Sequence, residues 1–212
     1  MGESAVVSLP ADPKQARSKQ TKEKIIQAAI RLFEERGYEK TTSNDIAAEA
    51  GVSVGSFYVY FTDKRQLLLT IFERVSDEIY KNVFDSFRAE HLFGSELGPS
   101  IRQAIAKAIV DKERHAGLHR VLSEMVLKDP EFSIRQKRAM ERSAERLREL
   151  ISLAKKAGLT WNIDIDVAAF MVQRVVFDLS QDFVTGHIEL DEDKAIDALT
   201  EMVQRYVFKP RS

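Results

Sequence analysis

Apolar residues recur along this chain at helical spacing almost throughout. Ile25, Ala29, Leu32 and Phe33 fall at i, i+4, i+7 and i+8, which predicts a helix with Thr21 as its N-cap and Gly37 as its stop. A short helix is expected next, capped by Thr42, with Ile46, Ala47 and Ala50 inward and Asp45 at the third position, where a carboxylate suits the positive helix end. Gly51 ends it. A further short helix opens on Ser53 and sets Phe57 and Phe61 on one face. Thr62 then caps a long helix whose stripe is Leu67, Leu68, Ile71, Phe72, Val75 and Ile79, running to about Phe87.

Residues 89–100 hold Gly94, Gly98 and Pro99 and read as a break. Beyond them the spacing predicts helices over 100–115, 117–128, 131–157, 165–186 and 192–207, separated at Gly117, Asp129-Pro130, Gly158 and Gly186. No strand pattern interrupts them. The expected fold class is all-α, with an N-terminal three-helix module over 21–66 and a larger helical domain over 67–212. Residues 1–20 carry Pro10, Pro13 and small polar side chains without apolar periodicity, and read as a flexible arm.

Charge sharpens that picture. The 212 residues carry 32 Lys and Arg against 33 Asp and Glu, so no general basic coat holds a polyanion, and any such site must be local. One local excess exists: between residues 14 and 24 five positive side chains face a single Glu23, a net of +4. A solubilising tail and a nucleic-acid-binding arm both fit it. With no cysteine there is no disulfide framework and no thiolate chemistry, which fits the cytoplasm. The longest apolar runs, such as 167–172, fall far short of the ~20 residues that span a bilayer, so no membrane partner is expected.

The two short helices joined at Gly51 form a helix-turn-helix pattern, which buries the inner faces of both helices and turns the rest of the second one outward. Ser53, Val54, Gly55, Ser56, Tyr58 and Tyr60 occupy the remaining positions. Small and hydroxyl-bearing aromatic residues are an unusual choice for a solvated helix face, which favours Lys, Glu and Gln. Gly55 costs about 1 kcal/mol in a helix but lets another molecule approach its backbone. Tyr58 and Tyr60 can donate to phosphate while their rings pack on sugar or a thymine methyl. Lys64, Thr42 and Ser43 sit at helix starts, where an anion would be held from both sides of a groove. Taken singly, each residue is equally explained by half-burial or a tolerated loop; as an ordered set they point to double-stranded DNA.

The run Ile26-Gln-Ala-Ala-Ile-Arg-Leu-Phe33, with Gly37-Tyr38, Thr41-Thr42, Ile46-Ala47, Ala50-Gly51-Val52-Ser53, Gly55-Ser56-Phe57-Tyr58, Tyr60-Phe61, Lys64 and Leu67, closely resembles the N-terminal module of TetR-family transcriptional regulators. The resemblance covers about residues 21–72. It implies DNA contacts from the positions of Thr42, Ser53, Val54, Gly55, Ser56, Tyr58, Tyr60 and Lys64, and a C-terminal domain that dimerises and binds a small effector. Tyr60 stands where His is frequent, and Val54 where polar or basic residues are common.

In the C-terminal part, the helix over 165–186 spreads apolar residues around an arc of about 200°, wide enough to serve its own core and a second subunit. Val172, Val176, Leu179 and Phe183, with Leu199, Met202, Val203 and Tyr206 of the last helix, are the expected homodimer interface. A fully buried monomer core is the competing explanation. For an unidentified small-molecule effector the candidates are Leu118, Leu122, Met125, Leu147, Phe170, Gln173 and Phe177. His115 and His119 have an i, i+4 spacing able to share a metal, but no glutamate accompanies them and Gly117 lies between, so neither a metal nor a catalytic site is assigned. No cofactor motif is present.

The sequence therefore reads as a dimeric regulator, a repressor in the first instance, whose recognition helices lie about 34–36 Å apart on a palindromic operator. A DNA-binding activator fits the same residues. So does a helical ligand-binding or enzymatic protein whose helix-turn-helix contacts protein.

Overall fold

A computed structural model describes residues 13–85, 89–113 and 115–210. Residues 1–12 of the expected arm and Phe87, the expected end of the long helix, lie outside the described residues. In chain order the elements are α1 (Pro13–Arg36), α2 (Ser43–Glu49), α3 (Val54–Tyr60), α4 (Lys64–Asp85), a 3-10 turn at Ala89–Phe93, α5 (Leu97–Glu113), α6 (Ala116–Lys128), α7 (Pro130–Lys156), α8 (Ile165–Thr185) and α9 (Glu192–Val207). Among the described residues β structure is limited to an isolated antiparallel bridge between Thr160 and Phe208. None of their helices is long and apolar enough to cross a membrane. The all-α expectation holds.

Two expected helix starts are corrected. α1 begins at Pro13, two turns before Thr21, because proline suits the first helical position and the Thr21 hydroxyl donates to the Arg17 carbonyl (3.0 Å), the mid-helix habit of threonine. Arg17 and Lys19 are thus helical rather than part of a flexible arm. At α4 the cap is Asp63, whose carboxylate accepts the Gln66 N–H (2.7 Å); the Gln66 side chain in return accepts from the Thr62 N–H.

The chain divides into two compact units between Ile71 and Phe72, inside α4, not at residue 66 nor at the 89–100 break. In the first unit Ile25, Ala29 and Phe33 of α1, Ile46 and Ala47 of α2, and Phe57 of α3 are fully buried, and so are Leu67, Leu68 and Ile71. Such burial is decisive for α2 and α3. Seven-residue helices are marginal in water, whereas each buried large side chain contributes about 1.5–3 kcal/mol. Arg31 of α1 pairs with Glu49 of α2 at 3.0 Å across the exposed rim.

The second unit is built on a core from α5, α7, α8 and α9, in which Ile105, Ile151, Ala168, Ala169 and Ile196 are buried. α7, α8 and α9 start within a residue of where the sequence places them, with Asp129, Asp164 and Asp191 as caps and Pro130 in the first turn of α7, whereas α5 starts at Leu97 and takes in Gly98 and Pro99 of the expected break. Arg102 of α5 ties down α9 through Asp193 (2.8 Å) and Asp197 (2.6 Å). Gly117 does not break the chain between His115 and His119; it lies in the first turn of α6, where a missing side chain is well tolerated.

Candidate functional site

α2 and α3 are set by their caps. Thr42 and Asp45 form a reciprocal box: the Thr42 hydroxyl accepts the Asp45 N–H (3.2 Å), and the Asp45 carboxylate accepts the Thr42 N–H (2.9 Å) and hydroxyl (2.6 Å). These donors, the hydroxyl first, hold the Asp45 carboxyl below its ordinary value. Ser43, in the first turn of α2, is half-buried. The turn that follows uses Gly51 at φ +67°, the left-handed conformation that favours glycine. Ser53 then caps α3, its hydroxyl accepting the Ser56 N–H (3.1 Å) and lying 2.8 Å from the Ser56 hydroxyl.

With Phe57 driven inward, α3 turns Val54, Gly55, Tyr58 and Val59 outward, Tyr58 at 54% and Val59 at 76% exposure. Val59 was not among the expected contacts, yet the spacing 54, 55, 58, 59 opposite Phe57 and Phe61 marks it as part of the same face. A Cβ built on Gly55 meets nothing nearer than the Ser53 hydroxyl at 3.9 Å, so the protein itself does not require glycine there. Tyr60 points elsewhere. Its hydroxyl donates to the Ser18 hydroxyl (3.2 Å), fastening the start of α1 beside α3. Arg17, Lys19 and Lys22 are exposed on α1, with the Lys22 ammonium 5.6 Å from the centre of the Phe61 ring.

Lys64 is placed differently from the expectation of a free phosphate ligand. Its ammonium donates to the carbonyls of Tyr38 (2.8 Å) and Thr41 (3.0 Å) and lies 4.1 Å from the Tyr38 ring centre. It therefore fixes the turn between α1 and α2 on the start of α4. Lys64→Met, which keeps most of the stem, should destabilise the first unit by about 2 kcal/mol in chemical denaturation. An unchanged stability with a salt slope of operator binding flatter by about one unit would instead make Lys64 a phosphate ligand.

Residues 25–71, which carry α2, α3 and the Lys64 contacts, match the family described as bacterial regulatory proteins, tetR family. The chain carries the N-terminal module of that family. It is 48% identical over 52 residues, 24% of its length, to the HTH-type transcriptional regulator YerO of Bacillus subtilis. It is 27% identical over 209 residues to a probable acrEF/envCD operon repressor of Escherichia coli, covering 92% of this chain and 90% of that one. A TetR transcription regulator from Haloarcula marismortui shares the fold, with a TM-score of 0.71 at 21% identity over 89% of this chain and 96% of that one. The first of the curated relatives are matched over less than half of their own length, 18%, 42%, 31% and 33%.

In the second unit a cavity of about 270 Å³ opens among α4, α5, α6, α7, α8 and α9. Four of the expected effector residues line it: Leu122, Leu147, Gln173 and Phe177. Three do not. Leu118 and Met125 are buried away from the cavity wall, and Phe170 is 58% exposed on the surface. Ser76 and Tyr80 of α4 and Gln136 of α7 also line it and were not foreseen, since their position depends on how helices distant in sequence meet.

The residues of the expected dimer face divide between core and surface. Val172, Leu199 and Val203 are buried in the unit's own core, and Val176, Leu179 and Phe183 are half-buried against it. Only Met202 and Tyr206 reach the surface. α8 presents instead Val167, Phe170 and Met171, spaced i, i+3, i+4. Both faces of α8 are apolar, and periodicity alone does not say which is inward. His119 is buried while His115 is exposed, and no group of three metal-binding side chains occurs among the described residues.

Proposed function

We propose that this chain is a sequence-specific DNA-binding transcriptional regulator of the cytoplasm, which acts as a dimer and represses transcription until a small molecule occupies the cavity of its second unit. The observation that carries the reading is the exposed face of α3: Val54, Tyr58 and Val59 around an unencumbered Gly55, held rigid by the buried Phe57. An apolar and phenolic surface of that kind suits base edges and thymine methyls in a major groove. Repression is favoured over activation by the operon-repressor name of the Escherichia coli relative, which is matched over most of both chains. No catalytic role is assigned. Selection from random duplex DNA tests the reading. It should return a palindrome whose half-sites lie about one helical turn apart; recovery of no common sequence would refute it.

The dimer surface in this reading is the apolar patch of Val167, Phe170 and Met171 on α8 with Met202 and Tyr206 on α9. Phe170→Glu places a charge in the middle of it. Analytical ultracentrifugation should then find a monomer where the unaltered chain sediments as a dimer, and operator affinity should fall with it. A variant that remains dimeric would move the interface elsewhere. For release, the effector must bind the free protein more tightly than the operator-bound protein; a molecule with equal affinity for both shifts nothing.

A further inference from the structure

Reading the cavity of the second unit as the effector site leaves open what enters it, and the wall itself narrows the choice. Among the described residues no Asp, Glu, Lys or Arg side chain lines it. Two guanidinium groups that lie against its aromatic walls are both paired. Arg142 lies 4.2 Å from the Tyr80 ring centre and is bonded to Asp77 (2.6 Å), and Arg174 lies 5.9 Å from the Phe177 ring centre and is bonded to Asp178 (3.1 Å). His119, the one imidazole among the described wall residues, is buried and already has an interaction partner. A charged ligand would thus lose its hydration without gaining a counter-charge, which costs several kcal/mol.

Hydrogen-bonding capacity is also localised. Along much of the wall the polar groups are already used: Ser123 donates to Gln181 (3.2 Å), Ser143 to the Ala139 carbonyl (3.2 Å), Ser180 to the Phe177 carbonyl (2.7 Å), and Gln173 to the Met140 carbonyl. The Ser76 and Tyr80 hydroxyls and the Gln136 amide carry no hydrogen bond among the described residues. Ser76 and Tyr80 stand one turn apart on α4. The Phe72–Phe132 ring contact (5.7 Å) on one side and the Asp77–Arg142 pair on the other bracket both Ser76 and Gln136, which brings the three groups to one end of the α4–α7 wall. At about 270 Å³ the cavity lies near the lower end of the roughly 300–1,000 Å³ range of small-molecule sites, which suits a ligand on the order of ten heavy atoms.

We propose that the effector is an uncharged, largely apolar molecule of that size, carrying a single hydrogen-bonding end that is received by Ser76, Tyr80 and Gln136. This rests on the cavity being the effector site, and the test separates the two statements. Isothermal titration calorimetry of the full chain would compare n-decanol with decanoate and decyltrimethylammonium. The alcohol should bind at least about tenfold more tightly than either ion. Gln136→Leu and Tyr80→Phe should each weaken it about threefold to tenfold without lowering the thermal midpoint of the chain, and Ala139→Phe, which fills the cavity, should abolish it. Preference for either ion would overturn the proposed chemistry while leaving the site in place. Binding of none of the three, or undiminished binding by Ala139→Phe, would overturn the site as well.

Discussion

Replacing Phe57 by alanine is expected to destabilise the first unit by about 3–5 kcal/mol, the largest effect of any single change discussed. Phe57 is fully buried, meets Phe61 with ring centres 5.9 Å apart, and is the one buried side chain that α3 itself contributes. A seven-residue helix has too few internal hydrogen bonds to hold without that anchor. Typical domain stabilities are about 5–15 kcal/mol, so the loss takes a large part of the total. Hydrogen exchange of the full chain checks it. Amides of α2 and α3 should lose protection while those of α8 and α9 keep theirs; undiminished protection of α3 would mean that its caps suffice.

Tyr58→Ala should do the opposite. The Tyr58 ring meets only the edge of Phe57 (5.3 Å between centres, 82° between planes) and is more than half exposed, so its loss should change stability by less than about 1 kcal/mol. Operator affinity should fall about tenfold to a hundredfold, the range for a lost base-directed contact. Tyr58→Phe divides that loss between ring and hydroxyl: a phosphate donor loses most of it with the hydroxyl alone, a thymine contact keeps most of its affinity. Fluorescence anisotropy with the selected operator measures both variants. Wild-type affinity for Tyr58→Ala would remove α3 from the DNA interface. Neighbouring residues with exchanged effects, one on folding and one on binding, are what an α3 with one buried and one reading face requires.

The first unit was legible in the sequence wherever its determinants are local. Thr42, Asp45, Gly51 and Ser53 act within three or four residues of themselves, and each does what its position predicts. Ambiguity enters where several residues compete for one local role. Thr62 and Asp63 are both competent caps, and the one whose carboxylate reaches the Gln66 N–H prevails. Lys64 illustrates a further limit. Its carbonyl partners, Tyr38 and Thr41, lie in a different turn, and nothing at position 64 announces them. In the second unit the helices were legible, but the inward side of α8 was not. Val172 and Phe170 are equally apolar, and only the packing of α5, α7 and α9 decides that the first is buried and the second exposed. The cavity is hidden for the same reason, since its wall joins six helices separated by long stretches of chain.

The most direct test of a DNA-binding regulator is fluorescence anisotropy of the full chain with duplex DNA flanking its own gene, against a scrambled duplex, at low and at near-physiological salt. The account predicts tight binding to the flanking duplex alone, weakening steeply as salt rises because phosphate contacts release counterions. Equal affinity for both duplexes, or binding to neither there and to no duplex selected from random sequence, would contradict it and turn the exposed face of α3 into a protein-contact surface.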